Sequence, residues 1–377
     1  MTKPLLDVYQ RLAKFLDRLP AGFPPSPGGA ELKILRKLFA PEEAALFMHL
    51  DLLGEPARVV AFRARLPLAQ VTAMLEKMAE KGLIASDVSA GRPVEYSVNQ
   101  YVVGFMEDQV DHLDRELVVL AEEYTPVFFK DGPWSKVPQI RTIPIRESVP
   151  VEHAVMPYMR AEDIVRSHTR FAVRNCVCRQ ELELIGHGCG KPLDVCLSFD
   201  NGADQSVRAG RAHSITMDEA LDIFKRANQA GLVLQPSNSQ DPIFICACCG
   251  CCCGVLRNIK QFDNPADLVV NSFIAHHDAG LCSTCEVCLE RCQMEALTLV
   301  DGLIALDVKR CIGCGLCVST CPSGAMNLVR KAEPPSIPKD TTSNYLQMAQ
   351  ARDKLGLLRM AGMLVRSKID QVLAKVF

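Results

Sequence analysis

The chain is 377 residues long, 48 % hydrophobic and 23 % charged, with a formal net charge of −2. That length exceeds an ordinary single domain and points to two or three, while the near-neutral balance excludes a global electrostatic case for nucleic acid or an anionic membrane. Eighteen cysteines and a start from Met1 to Asp7 without an apolar signal region argue for metal ligation in a reducing cytoplasm rather than disulfides.

Residues 5–19 form a short amphipathic segment, and the proline- and glycine-rich stretch 20–29 reads as a loop. From 31 to 125 the pattern is one of short helices. Pro41, Glu42 and Glu43 open one that ends near Gly54, residues 57–65 form a second, and residues 68–81 a third closed by Gly82. Two strand-like pieces, 83–88 and 94–98, follow across Gly91. Three helices and a hairpin resemble a winged helix-turn-helix domain, which raises DNA recognition as a function. The third helix, however, exposes Gln70, Ala73, Glu76, Lys77 and Glu80, a face of mixed sign, and the wing carries only Arg92. Arg58, Arg63 and Arg65 make a modest basic patch. A DNA reader shows a stronger footprint, so protein docking or a structural role is the preferred reading and nucleic acid is disfavoured.

Residues 101–124 read as a charged amphipathic helix with Met106, Val110, Leu113 and Leu117 on one face. Residues 128–150 read as an extended connector, and a cysteine-rich domain spans 151–272. Within it, 156–170 is expected to be helical and 171–179 extended. An extended Cys176-Val-Cys178 pair points both thiols to one side, and Cys189 and Cys196 on the following loop would close a four-thiolate site. Such a site fits an iron–sulfur cluster or zinc, and free thiols are the remaining alternative. His187 is a possible substitute ligand, although a surface histidine is the plainer reading. Thr216 to Glu219 is a capping box for a helix closed by Gly231. Cys246, Cys248, Cys249, Cys251, Cys252 and Cys253 follow: six cysteines in eight residues. They are too many for one four-iron cube, so the run is expected to serve more than one centre, or one centre plus reactive thiols. The stretches 176–196 and 246–253 are expected to come together around at least one further cluster or zinc.

The most specific signal is a repeated C-x2-C-x2-C-x3-C, first at Cys282, Cys285, Cys288 and Cys292, then at Cys311, Cys314, Cys317 and Cys321. An offset of 29 residues carries each cysteine of the first half onto the second, and also Ala296 onto Ala325, Leu299 onto Leu328 and Val300 onto Val329. Asp301-Gly302 between two apolar tetrads is a hairpin signal. Residues 273–330 thus resemble a bacterial-type 2[4Fe–4S] ferredoxin. In that arrangement each half lends its last cysteine to the other. The resemblance implies one cluster on Cys282, Cys285, Cys288 and Cys321 and another on Cys311, Cys314, Cys317 and Cys292. Gln293 departs from the pattern, since many such modules carry proline there, as Pro322 does in the second half. The backbone N–H groups of Ile312, Gly313 and Gly315 are candidate donors to sulfur.

A proline-rich linker precedes residues 342–377, a helical tail in which Arg352, Lys354, Arg359, Arg366, Lys368 and Lys375 outnumber Asp353 and Asp370. Leu355, Leu358, Met363, Val365, Ile369, Val372 and Val376 give it an apolar side. It packs on its own domains or lies on a membrane surface or partner. No dinucleotide fingerprint, P-loop or nucleophile–base set is recognisable. The expected fold is therefore α+β and multidomain: a winged-helix-like domain, a cysteine-rich middle, a ferredoxin-like βαβ-repeat module and a C-terminal helix. The expected function is electron transfer through two or more [4Fe–4S] clusters with redox partner proteins. A cluster oxidoreductase acting on a disulfide or small substrate at Cys246–Cys253, and a redox-sensing DNA-binding regulator, are the alternatives.

Overall fold

The computed structural model describes residues 6–88, 91–145, 148, 156–352 and 357–375. Leu5, the expected domain start at Val151, and Asp353, Lys354, Leu355 and Val376 of the tail lie outside the described residues, as do the side chains of Leu358, Arg359 and Met363. The chain divides into two compact units. One is Met1–Pro133 with Gln205–Arg211 and Tyr345–Phe377; the other is Trp134–Asp204 with Ala212–Asn344.

In the first unit, α1 (Val8–Arg18) starts at Asp7, whose carboxylate accepts from the Gln10 N–H in a capping box. The irregular loop that follows is not a solvent feature: Ala21 and Phe23 are buried in the core. Helices α2 (Ala30–Leu38) and α3 (Pro41–Phe47), then β1 (Glu55–Pro56), α4 (Ala57–Ala64), α5 (Leu68–Glu80), β2 (Ile84–Asp87) and β3 (Glu95–Val98) come next. The strands pair antiparallel in the order β1-β3-β2. Helix α3 ends at Phe47, seven residues before the expected stop at Gly54. The expected helix over 101–124 is also corrected. Val102 and Gly104 have extended backbone, and the helix α6 (Arg115–Asp131) begins only at Asp114, which caps the Leu117 N–H. The spacing of Met106, Val110 and Leu117 mimics a helical face, but the residues belong to separate pieces. α6 also runs through Pro126 into the expected connector, because Tyr124, Phe128 and Phe129 are held in an aromatic core with Phe23 and Tyr101.

The second unit opens with α7 (Ala161–Ser167), which stops before His168 rather than at Arg170. Then come β4 (Phe171–Asn175), α8 (Val177–Leu184), β5 (Asp194–Phe199), α9 (Asp200–Arg208, of which residues from Gln205 on belong to the first unit), β6 (His213–Ile215), α10 (Met217–Gln229), β7 (Val233–Pro236), β8 (Phe244–Cys248) and α11 (Gly254–Ile259). The five strands form an antiparallel sheet in the order β6-β4-β5-β8-β7. Because strand side chains alternate, one face presents Val173, Leu197, Ile245 and Ala247, and α10 covers it with Ala220, Ile223, Phe224 and Ala227. The opposite face carries the cysteines.

The ferredoxin-like part contains β9 (Phe273–His277), α12 (Val287–Arg291), β10 (Leu297–Val300), β11 (Leu303–Leu306) and β12 (Met326–Arg330). β9 pairs with β12, and β10 with β11 across the Asp301-Gly302 turn, both residues having positive φ as a two-residue hairpin requires. The offset of 29 carries β9 onto β11 and β10 onto β12, so the repeat is structural as well as sequential. The chain ends with α13 (Thr341–Ala351) and α14 (Leu357–Leu373). The latter returns to the first unit, where Asp370 accepts from Arg63 Nε at 2.5 Å and Ser367 donates to Glu55 at 2.6 Å. Among the described residues no helix is long and apolar enough to cross a membrane.

Candidate metal centres

The ferredoxin-like loops gather their cysteines in two groups that interleave the halves. Burial raises the pKa of the Cys288 thiol, and Cys282, Cys285 and Cys321 add to the effect. Burial pushes Cys314 up to about 12, with Cys292 and Cys311 as its charged neighbours. A cavity between the strands is lined by Cys292, Cys311, Cys314 and Cys317 together with Leu297, Ile312, Leu316 and Leu328. Thiols buried in an apolar cavity carry a negative charge at low cost only when a cation shares it. This donor set fits an iron–sulfur cluster. Backbone N–H groups point at the sulfurs. Ala275 donates to Cys311 at 3.3 Å, Ala296 to Cys292 at 3.2 Å, Met326 to Cys321 at 3.4 Å and Thr284 to Cys282 at 3.4 Å. The backbone N–H groups of Gly313 and Leu316 also favour the thiolates of Cys311 and Cys314. Gly313 and Gly315 have φ of +65° and +75°. A Cβ on Gly313 would lie 2.2 Å from the Phe273 carbonyl oxygen, so the loop takes its path only with glycine there.

The ten remaining cysteines separate into six and four. Cys176 is not on an extended pair with Cys178, as expected: it is the N-cap of α8, and Cys178 lies in that helix's first turn. Cys196 is on β5 and not on a loop. The register Leu197↔Ile245 brings Cys196 beside Cys246, with 3.8 Å between their sulfurs. Cys248 shares that face, and Cys253 returns to it as the N-cap of α11. Cys196, Cys246, Cys248, Cys253, Cys178 and Cys176 then follow one another as neighbouring thiols that shift each other's titration. Directions alternate along this chain of sulfurs. Contacts with their neighbours hold Cys246, Cys253 and Cys176 below the usual thiol range, and hold Cys196, Cys248 and Cys178 above it. Arg174 pairs in register with Cys196 and favours the thiolates of Cys196 and Cys246.

Cys189 does not join Cys176, Cys178 and Cys196. It meets Cys249, Cys251 and Cys252 instead, and the four sulfurs all lie within 4.8 Å of one another. The exposed His187 is outside this group. Between the two groups stands Arg179, 2 % exposed, which donates to the carbonyls of Pro192 at 2.7 Å and Ala247 at 2.6 Å. Burial disfavours its charge, but Cys176, Cys249 and Cys248 outweigh that and keep the guanidinium protonated.

The cysteine-rich turn also touches the ferredoxin-like loop. The Gly250 N–H donates to Gln293 Oε1 at 2.7 Å, and a Cβ on Gly250 would lie 2.0 Å from the Gln293 carbonyl oxygen. Gln293 thus has a structural task that a proline side chain cannot perform.

A family model described as a 4Fe-4S binding domain matches residues 304–327. Two uncharacterized ferredoxins of Methanocaldococcus jannaschii are similar over part of their length. One is 45 % identical over 47 residues, the other 44 % over 45, and each match covers 12 % of this chain. The chain spans only 31 % of the first relative and 27 % of the second. No solved structure matches. With the cysteine geometry, these similarities show a ferredoxin-type iron–sulfur module.

Proposed function

We propose that the chain passes electrons through three or more iron–sulfur centres. Cys282, Cys285, Cys288 and Cys321 would hold one [4Fe–4S] cluster, and Cys311, Cys314, Cys317 and Cys292 a second. The six-thiol group on the sheet face would hold a further cluster. Such clusters supply one-electron transfer, at potentials set by charge, burial and hydrogen bonds to sulfur. The chain's own part is to exclude water with Leu297, Ile312, Leu316 and Leu328 and to aim N–H groups at the sulfurs. The observation that carries the reading is the direct contact of Gly250 with Gln293, because it joins the cysteine-rich turn to a ferredoxin ligand loop. Redox partners would be proteins. The exposed row Val365, Ile369 and Val372 on α14 supports docking through the C-terminal segment. The winged-helix-like reading of residues 31–125 is kept as a docking or structural domain. The Arg63 side chain is 5 % exposed and committed to Glu55 and Asp370, which removes a cation from the basic patch that DNA would need.

The test is iron and acid-labile sulfide per chain on anaerobically purified protein, followed by a reductive titration. Two cubes require about 8 sulfides and a third centre about 12 or more. Fewer than about 12, or iron that cannot be cycled between oxidised and reduced forms, would overturn the proposal.

A further inference from the structure

We infer that Cys189, Cys249, Cys251 and Cys252 hold a single tetrahedral metal ion, zinc or iron, separate from every iron–sulfur cluster. The proposal is independent of the electron-transfer reading and rests first on spacing. Four thiolates bound to one ion at about 2.3 Å stand about 3.8 Å apart along each tetrahedral edge. Here Cys189 and Cys249 are 3.9 Å apart, Cys251 and Cys252 are 3.9 Å apart, and no pair exceeds 4.8 Å. A four-iron cube places each thiolate at the end of its own iron–sulfur bond, so its thiolates stand farther from one another. Among the described residues the Cys189 group is the one set of three or more such ligands whose atoms all lie within 4.8 Å of one another, and neither ferredoxin-type quartet forms such a set.

Placement supports the same conclusion. Cys249 and Cys252 are buried, at 1 % and 0 % exposure, whereas Cys251 is exposed and leaves the site an entry edge. Four thiolates around a divalent cation leave two negative charges, and buried Arg179 lies against Cys249 to offset one of them. Ligand arrival follows from chain geometry. Cys189 comes from a loop that turns at Gly190, where φ is +66°, and the other three come from the single turn between β8 and α11.

The experiment compares the full chain with Cys249→Ser/Cys252→Ser, measuring zinc, iron and acid-labile sulfide per chain. The expected result is the loss of about one metal ion with sulfide unchanged, because a single-ion site contains no sulfide; elemental analysis says whether that ion is zinc or iron. Loss of iron and sulfide together, or no loss of metal, would overturn the assignment. Because two buried thiols are removed, Cys251→Ser at the exposed position is the second arm. It should fold and yield its ion to a soluble chelator about tenfold faster or more, in line with the loss of one ligand or its support. An unchanged release rate would also overturn it. If the cluster reading failed, sulfide would be missing from the unsubstituted chain as well, whereas the one-ion difference would remain.

Discussion

Gly250→Ala probes the joint between the cysteine-rich turn and the ferredoxin-like loop. The new methyl would be placed 2.0 Å from the Gln293 carbonyl oxygen and 3.0 Å from its carbon. A carbon and a carbonyl oxygen in contact sit about 3.3 Å apart or more, so the two backbones must separate by about 1.3 Å. Both contacting atoms are backbone, which leaves no side chain to swing aside. The same separation breaks the buried Gly250–Gln293 hydrogen bond, now 2.7 Å long. Overpacking costs about 1–3 kcal/mol and an orphaned buried N–H about 1–3 kcal/mol, for roughly 2–6 kcal/mol together. That is a large fraction of a total of about 5–15 kcal/mol. Gln293→Ala removes the hydrogen bond without the clash, together with the 3.4 Å bond from Gln293 Nε2 to the Arg291 carbonyl, and should cost about 1–3 kcal/mol. Because both changes break that bond, the double substitution should cost about 1 kcal/mol less than the sum of the two. Urea unfolding followed by the visible iron–sulfur absorption and by far-UV circular dichroism measures all three. A Gly250→Ala protein within about 0.5 kcal/mol of the original would refute the close approach.

Arg63→Ala should destabilise the first unit by about 3–5 kcal/mol, since Glu55, 0 % exposed, would lose its cation. Proteolysis should then release the segment around Asp370 more readily; a loss below about 1 kcal/mol would mean that the ion pair is not holding α14. Asp200 gives a prediction in acid. Burial raises its pKa, but the His168 ring at 2.8 Å and the N–H groups of Thr169 and Arg170 outweigh it and hold the carboxyl at about 2. A folded-state pKa below the unfolded one means that this stabilisation is complete above about pH 4 and is lost as pH falls toward 2. Asp200→Asn should therefore narrow its stability deficit over that window and close it below. A deficit independent of pH from 5 to 2 would contradict the pairing.

The ferredoxin-like module was legible because its chemistry is local. The offset of 29, the Asp301-Gly302 hairpin and the two cysteine runs all appear in the structure as paired strands around facing thiols. The helix cap at Thr216 was equally local, with the Glu219 N–H bonded to its hydroxyl at 3.2 Å. Longer inferences failed where tertiary packing overrode the local pattern. Residues 101–124 had a helical spacing of apolar side chains, yet the extended residues at Val102 and Gly104 and the cap at Asp114 split it. A connector was expected from 128, but the aromatic contacts of Phe128 carry the helix through Pro126 as far as Asp131. Gln293 looked like a departure from a motif; its partner, Gly250, lies 43 residues away and no local pattern links them.

The partition of the ten other cysteines was hidden for a related reason. Between Cys246 and Cys253 the chain changes conformation twice. As a strand it puts Cys246 and Cys248 on one face of the sheet, beside Cys196 and opposite the α10 layer. After β8 the turn redirects Cys249, Cys251 and Cys252 toward Cys189. At the start of α11 the chain reverses again, and the Val255 and Leu256 N–H groups help to favour the Cys253 thiolate, after its contacts with Cys178 and Cys248. A continuous strand would have divided the run by alternation alone and placed Cys248 and Cys252 on the same side. The structure separates them, because the turn at Gly250 is fixed from outside by Gln293. The contact that joins this turn to the ferredoxin-like loop therefore also sets which thiols belong to which centre. Moving Gly250 should disturb the single-ion site before it disturbs the six-thiol face, whose cysteines are anchored by β5, β8 and the helix starts.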